Sequence, residues 1–344
     1  MPGPCSRCPA ATLSTVNRGR RRWAVAAAVG AGAVAGAVAV TVGRAPAPNP
    51  TEPRPTKHVA LEVIARIPAR RAPVGVAATE EAVWVTAAGS LRLLEFDPDS
   101  EQETRRVDLG AVPAGVAVAG DAVWVGFAEG RDILRLEVDA PGGGGGPVLV
   151  GQTPQAVAVA EGGTGVWVAA LNEPSVAFID ADSGDVTSRV DLEDRFPSAV
   201  AAGFDRVWVP DVVANVLLEI DPSGRRPPDE IRVGSSPTAV AAGEGAVWVG
   251  NFDSETVSRF DPGVGRVTGG VHLKGPIGGL AVGAGFVWAT EQERGRVVAI
   301  DPDTAEVAGA VGVGRVPQGV SVGPDGTVWV AVQGDDELVR IAVR

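Results

Sequence analysis

The chain of 344 residues is rich in Val, Ala, Gly and Pro, has no Tyr, and carries a net charge of −12 at neutral pH. Residues 1–44 contain six Arg and no acidic residue, so the rest of the chain holds 24 basic and 42 acidic groups. Such an acidic body excludes a nucleic-acid backbone as partner, because phosphate contacts need a positive surface.

The N-terminal region predicts a membrane segment. Residues 1–22 form a basic tail that ends in three consecutive Arg, and residues 23–42 contain no charge. Twenty apolar residues are enough to cross a bilayer as a helix, and positive charges before them keep the tail in the cytoplasm. The prediction is a single-pass anchor in the cell membrane with residues 58–344 outside the cytoplasm.

A cleaved export signal is the alternative interpretation of the same region. The Arg run directly before Trp23 resembles a twin-arginine signal, and Ala45-Pro46-Ala47 is a weak cleavage motif. Removal of residues 1–47 would give a secreted protein. In the uncleaved chain, residues 43–57 form a Pro-rich linker, with five Pro between positions 45 and 56, and such a composition favours a stiff extended spacer.

Residues 58–344 consist of seven repeats, each marked by a Trp between small apolar residues. Successive repeat tryptophans are 40, 43, 41, 40, 40 and 41 residues apart. The repeat tryptophans are Trp84, Trp124, Trp167, Trp208, Trp248, Trp288 and Trp329. Each repeat opens with a Pro, and most repeats have a hydrophobic-Asp pair before a turn. Four short strands in about forty residues are typical of one blade of a β-propeller.

The two ends of the repeat array predict how the ring closes. The seventh repeat ends after its third strand-like run, and Val59 to Ile67 is a strand-like run that precedes the first repeat. Pairing of this run with Leu338 to Val343 would leave no open edge. The sequence therefore predicts an all-β fold: a seven-bladed β-propeller of four-stranded antiparallel blades, closed by an N-terminal strand that completes the last blade.

Polar residues interrupt the repeat at one register, three residues after the Trp. Blades four to six have Asp211, Asn251 and Glu291 there, whereas the other blades have apolar residues. The loops that follow this position share one face around the central channel, where ligand sites are favoured. With polar residues of neighbouring loops, the predicted ligand-binding set is Asn172, Arg195, Asp211, Asn251, Glu291, Arg315 and Gln333.

Two further interpretations of this polar set stay open. Carboxylate oxygens of Asp211 and Glu291 are ligands that Mg²⁺ and Ca²⁺ prefer, so these two residues are also candidate metal ligands. Alternatively, the polar side chains form an ordinary solvated loop surface. The only histidines, His58 and His272, have no nucleophile or acid partner in the sequence and are predicted to be structural or exposed.

The repeats resemble those of streptogramin lyase-like and YVTN-type seven-bladed β-propellers from about residue 59 to the C-terminus. The motifs Val247-Trp248-Val249, Phe260-Asp261-Pro262 and Trp288-Ala289-Thr290-Glu291 carry the resemblance. For an active lyase, the resemblance implies a Mg-dependent ring-opening elimination in which a Glu holds the metal and a His acts as base. Glu291 matches the Glu position. No His follows the repeat prolines, where the residues are Val74, Ala114, Gln155, Ser198, Thr238, Ile277 and Gln318.

Three functions therefore remain from the sequence. The first is a non-catalytic sensor or scaffold ectodomain that binds a small polar ligand, an envelope component or a partner protein. The second is a lyase-like Mg-dependent C–O lyase with an unidentified base. The third is a structural interaction platform without a ligand. The missing His favours the first, because elimination needs a proton acceptor.

Overall fold

The protein consists of seven four-stranded antiparallel sheets in a computed structural model, which describes residues 55–140 and 144–344. The predicted all-β propeller is confirmed: within the described residues, only short 3-10 turns depart from strands and loops. The basic tail, the apolar segment and most of the linker lie outside the described residues. Among those that are described, no helix has the length and apolar character needed to span a membrane.

Blades 1 to 6 each consist of four consecutive strands, and blade 7 consists of the last three strands and the first strand of the chain. Blade 1 contains β2 (Pro73–Ala78), β3 (Val83–Ala87), β4 (Arg92–Phe96) and β5 (Glu103–Asp108). Blade 2 contains β6 (Pro113–Ala119), β7 (Ala122–Phe127), β8 (Asp132–Glu137) and β9 (Gly145–Leu149). Blade 3 contains β10 (Ala156–Val159), β11 (Gly165–Ala170), β12 (Ser175–Asp180) and β13 (Val186–Asp191).

The remaining blades repeat this plan. Blade 4 contains β14 (Ala201–Gly203), β15 (Arg206–Asp211), β16 (Val216–Ile220) and β17 (Asp229–Arg232). Blade 5 contains β18 (Pro237–Gly243), β19 (Ala246–Asn251), β20 (Thr256–Asp261) and β21 (Arg266–His272). Blade 6 contains β22 (Ile277–Gly283), β23 (Phe286–Glu291), β24 (Arg296–Asp301) and β25 (Glu306–Gly312). Blade 7 contains β26 (Pro317–Val322), β27 (Val328–Val332), β28 (Glu337–Val343) and β1 (Leu61–Pro68). The 3-10 turns are Ala88–Ser90, Glu161–Gly163 and Gln333–Asp335.

The ring closes through β1, as the sequence predicts. This strand pairs antiparallel with β28, from Leu61 opposite Val343 to Pro68 opposite Glu337. Val59, the first residue of the predicted run, does not join that ladder; its backbone N–H donates to the Ala308 carbonyl of blade 6, at 3.2 Å. The N-terminal segment therefore completes blade 7 and also contacts blade 6.

The repeat tryptophans form the core between neighbouring blades, and we call each contact between two blades a seam. Because side chains alternate along a strand, the Trp faces the next blade while the two residues beside it face the previous one. Trp248 thus packs on Val287 and Ala289 in the 5/6 seam, and Trp329 packs on Val83 and Val85 in the 7/1 seam. Burial of an indole of roughly 200 Å² stabilises a seam by about 5 kcal/mol.

The first strand of each blade lies innermost, and neighbouring first strands approach closely. A Cβ on Gly319 would lie 2.5 Å from the carbonyl oxygen of Val74, and one on Gly115 would lie 2.8 Å from that of Gln155. Only glycine fits at such a distance. Hydroxyl groups also bridge the blades: Thr86 Oγ1 donates to the Ala114 carbonyl at 2.7 Å. The inner wall is therefore held by backbone and hydroxyl contacts across the seams.

The hydrophobic-Asp motif at the end of the third strand supports the turn that follows it. In blade 4 the Asp221 carboxylate accepts hydrogen bonds from the Ser223 backbone N–H at 2.9 Å and from the Ser223 hydroxyl at 2.8 Å. The backbone hydrogen bond is the main cause that lowers the pKa of Asp221, because it stabilises the ionised form. These carboxylates therefore serve turn structure, on the face opposite the one considered next.

Candidate functional site

One face of the ring carries both the loops between second and third strands and the loops between successive blades, because neighbouring strands are antiparallel. We call the central opening of this face the mouth. Six of the seven residues that directly follow the repeat prolines line it, and none of the seven is titratable. They are Val74, Ala114, Gln155, Ser198, Thr238, Ile277 and Gln318, of which only Ile277 is buried.

Three glutamines of blades 6 and 7 form a hydrogen-bonded row at the mouth. Gln292 Nε2 donates to Gln318 Oε1 at 3.0 Å, and Gln318 Nε2 donates to Gln333 Oε1 at 3.0 Å. All three side chains are partly exposed. Since each amide has two N–H donors and a carbonyl acceptor, the row keeps donors and acceptors for a ligand. Of the three, only Gln333 belongs to the set predicted from the sequence.

Glu291 is fully buried beneath the loop that joins blades 5 and 6. Arg296 Nε donates a short hydrogen bond to Glu291 Oε2, and Arg294 Nε lies 3.5 Å from Oε1. A Cβ on Gly275 in the overlying loop would lie 3.0 Å from Glu291 Cγ. The carboxylate is therefore compensated by two guanidinium groups and covered by backbone, and it does not line the mouth.

Asp211 lies at the same register two blades earlier and is also buried. Its Oδ1 accepts hydrogen bonds from the backbone N–H groups of Val213 and Ala214, at 3.0 and 2.9 Å. Arg195 Nη1 lies 3.8 Å from Oδ2, and Arg195 also forms a short ion pair with Glu230. Asp211 therefore closes the turn after β15 in the way that an Asx side chain closes a local turn.

Asn251, between these two positions, is buried as well. Its Nδ2 lies 3.0 Å from the hydroxyl oxygens of both Thr256 and Ser258, on the neighbouring strand β20. Its Oδ1 has no hydrogen-bond partner among the described residues. The amide therefore ties the end of β19 to the start of β20, so that all three residues of this register act on local structure.

The remaining residues of the predicted set lie at the rim, in different blades. Asn172 is exposed, and its Nδ2 donates to Thr153 Oγ1 at 2.7 Å. Arg315 is exposed, and its Nε donates to Asp335 Oδ1 at 2.7 Å. The Arg315 backbone N–H also donates to Asp335, and this bond is the main cause that lowers the pKa of that carboxyl. The structure does not bring the seven predicted residues into one cluster.

The contacts of Asp211 and Glu291 do not fit a divalent cation. A cation at Glu291 would lie beside Arg294 and Arg296, which would repel it. At Asp211, Oδ1 is engaged by two backbone N–H groups and Oδ2 lies near the Arg195 guanidinium, so a cation would have to displace the former or be repelled by the latter. In residues 55–140 and 144–344, no three His, Cys, Asp or Glu side chains are grouped as metal ligands.

Neither histidine lies near the channel. His272 is the last residue of β21 and pairs with Thr256, so it sits at the mouth-side end of the outermost strand of blade 5. His58 precedes β1 on the outside of the ring. Both are exposed, as the sequence predicts.

Comparison with known proteins identifies relatives of this propeller. The sequence model of the virginiamycin B lyase family matches residues 62–341. A solved structure is similar: a catalytically inactive His-to-Ala variant of virginiamycin B lyase from Staphylococcus aureus with quinupristin. It has a TM-score of 0.69 and 18% identity, and the match covers 83% of this chain and 99% of that one. A comparison with curated protein sequences gives no match.

The burial of Glu291 gives a stability test. Replacing Glu291 with Ala leaves Arg296 without its carboxylate, and we expect the free energy of unfolding to fall by about 2 kcal/mol. Urea unfolding followed by tryptophan fluorescence measures this. Glu293→Ala, an exposed carboxylate in the same turn, is the matched control and should unfold like the parent. A Glu291→Ala variant with the parent's stability would contradict the assigned contacts.

Proposed function

The chain belongs to the virginiamycin B lyase family, and we propose that its propeller has a function without catalysis. It acts as a non-catalytic sensor or scaffold that binds a small polar ligand, an envelope component or a partner protein. The anchor segment at 23–42 would hold this propeller outside the cytoplasmic membrane. The mouth is its binding surface.

The lack of a histidine at the mouth, in the part of the chain that the structure describes, carries this proposal. Elimination needs a proton acceptor within hydrogen-bond reach of the substrate. The similar lyase structure is catalytically inactive with one histidine replaced by alanine. In this chain no titratable side chain directly follows any of the repeat prolines, and both histidines lie on the outer parts of the ring. These observations support binding in place of catalysis.

The chemistry of the mouth favours a neutral polar ligand. The row of Gln292, Gln318 and Gln333 offers amide donors and acceptors near the channel. Arg195 and Arg315 at the rim are paired with carboxylates, so they add hydrogen-bond donors with little net charge. A ligand with amide or hydroxyl groups matches this surface better than an ion does.

A Mg-dependent C–O lyase is the second candidate. Family membership favours it, and so does Glu291, which stands at the position where the resemblance places the metal-holding Glu. One oxygen of this buried carboxylate, Oε1, has no hydrogen-bond partner among the described residues. Against it stand the two guanidinium groups beside Glu291 and the lack of a histidine at the described part of the mouth.

Incubation of the full chain with quinupristin and MgCl₂ separates the two candidates. Ring-opening elimination of a cyclic molecule gives an isomer of unchanged mass, so the product is followed by reversed-phase chromatography. We expect quinupristin to remain at the level of a protein-free control, while an active lyase of the family converts it in parallel. Product that depends on both this protein and Mg²⁺ would reject the non-catalytic function.

The proposed location has its own test. Protease added to intact spheroplasts that produce the full chain should digest the propeller, while a cytoplasmic marker protein stays intact. Recovery with the membrane pellet would indicate a retained anchor, and recovery in the medium a cleaved signal. A propeller that is protected until the cells are lysed would contradict a location outside the cytoplasm.

A further inference from the structure

An arginine lies over the repeat Trp in four of the seven seams. The distances from guanidinium carbon to ring centroid are 5.8 Å for Arg105 over Trp84, 5.7 Å for Arg135 over Trp124, 5.8 Å for Arg259 over Trp248 and 5.0 Å for Arg340 over Trp329. A cation in this position is attracted by the face of the indole. These arginine side chains therefore fill the space beside the indole in four seams.

Each of these arginines also donates to the turn after the third strand of the next blade. The acceptors are main-chain carbonyls: Val138 for Arg105 at 2.8 Å, Ala181 for Arg135 at 3.4 Å, Pro302 for Arg259 at 3.2 Å and Pro98 for Arg340 at 2.7 Å. The repeated arrangement is thus an aromatic face on one blade and a carbonyl acceptor on the next, with a guanidinium between them.

The 3/4 seam has the same two partners but no guanidinium. The residue paired with Trp167 is Phe178, at the register where Arg135 is paired with Trp124. Phe178 packs against the indole, with ring centroids 5.1 Å apart. The equivalent carbonyl, that of Pro222, accepts a long hydrogen bond from the Ser188 hydroxyl, at 3.3 Å.

A cavity of about 350 Å³ remains where the guanidinium is missing. Trp167, Phe178, Ser188 and Pro222 line it, and it opens on the face opposite the mouth. Trp167 is 5% exposed, whereas the other six repeat tryptophans are at most 1% exposed. The opening therefore reaches the aromatic floor.

The rim of this cavity carries a negative charge. Glu161 and Asp205 lie on it, and Glu161 Oε2 accepts a hydrogen bond from the Asp205 backbone N–H at 3.1 Å. Arg206 is the only positive group of the lining, and its Nε donates to Glu219 at 3.0 Å, so its charge is compensated. An aromatic floor, a carbonyl acceptor and net negative charge together match an organic cation.

We propose that the cavity of the 3/4 seam binds a guanidinium group from outside the chain, as a small arginine derivative or as an arginine side chain of a peptide. The planar fork of donors would meet the Pro222 carbonyl and the Glu161 carboxylate while its face lies over Trp167. This site is separate from the mouth, so it stands whether or not the mouth binds a ligand.

Titration of the full chain with N-acetyl-arginine amide, followed by calorimetry, tests the site. We expect saturable binding at millimolar concentrations to one site. N-acetyl-citrulline amide has nearly the same shape without the charge and should bind at least about tenfold more weakly. An Ala-Arg-Ala tripeptide that binds more tightly than the amide would identify a peptide as the source, and equal binding a small molecule. Absence of binding by arginine amide, or equal binding of citrulline, would overturn the proposal.

Two variants locate the binding. Phe178→Arg places the chain's own guanidinium at the register of Arg135, and this variant should no longer bind the amide. Glu161→Gln, at an exposed position that tolerates change, should weaken binding about threefold or more. Glu80→Gln removes an exposed carboxylate from the corresponding turn of blade 1, where Arg105 already covers Trp84, and should bind like the parent. Unchanged binding by both Phe178→Arg and Glu161→Gln would overturn the assignment.

Discussion

Packing of each repeat Trp on small residues of the next blade is the contact on which the whole ring depends. Strand alternation puts the Trp on one face of a blade and its neighbouring Val residues on the other, so every blade needs two neighbours. The 7/1 seam, with Trp329 on Val83 and Val85, repeats the packing of the 5/6 seam. The strand β1 then removes the last open edge, because it pairs with β28.

The same seams account for most of the polar residues that stand out in the sequence. Asp211, Asn251 and Glu291 are buried below the mouth, where they close turns or pair with partly exposed guanidinium groups. On the opposite face, arginines fill four of the seams over the indoles, and the 3/4 seam combines the least buried repeat indole with an unfilled cavity. Most of these polar groups thus stabilise turns and seams. The candidate ligand sites lie where polar or aromatic groups lack such a contact within the chain.

The repeat spacing predicts the blades, the closing strand and the core Trp, because these depend on period and alternation alone. The burial of Asp211 could have been predicted in the same way, because Asp211 lies two residues after Val209 and so shares the face of that buried Val. The glutamine row was harder to predict, since Gln292 and Gln318 meet only across a seam. Arg105 covers Trp84 from the fourth strand, at a register different from Arg135, so the sequence pattern does not reveal this contact.

Closure by β1 is tested most directly by amide hydrogen exchange in two chains, one that begins at Pro55 and one that begins at Ala69 and so lacks β1. If the seams make the ring one cooperative unit, loss of β1 exposes the edge of β28 and lowers protection in all seven second strands, including β15 on the far side of the ring. Faster exchange confined to blade 7, with β15 fully protected, would contradict this account.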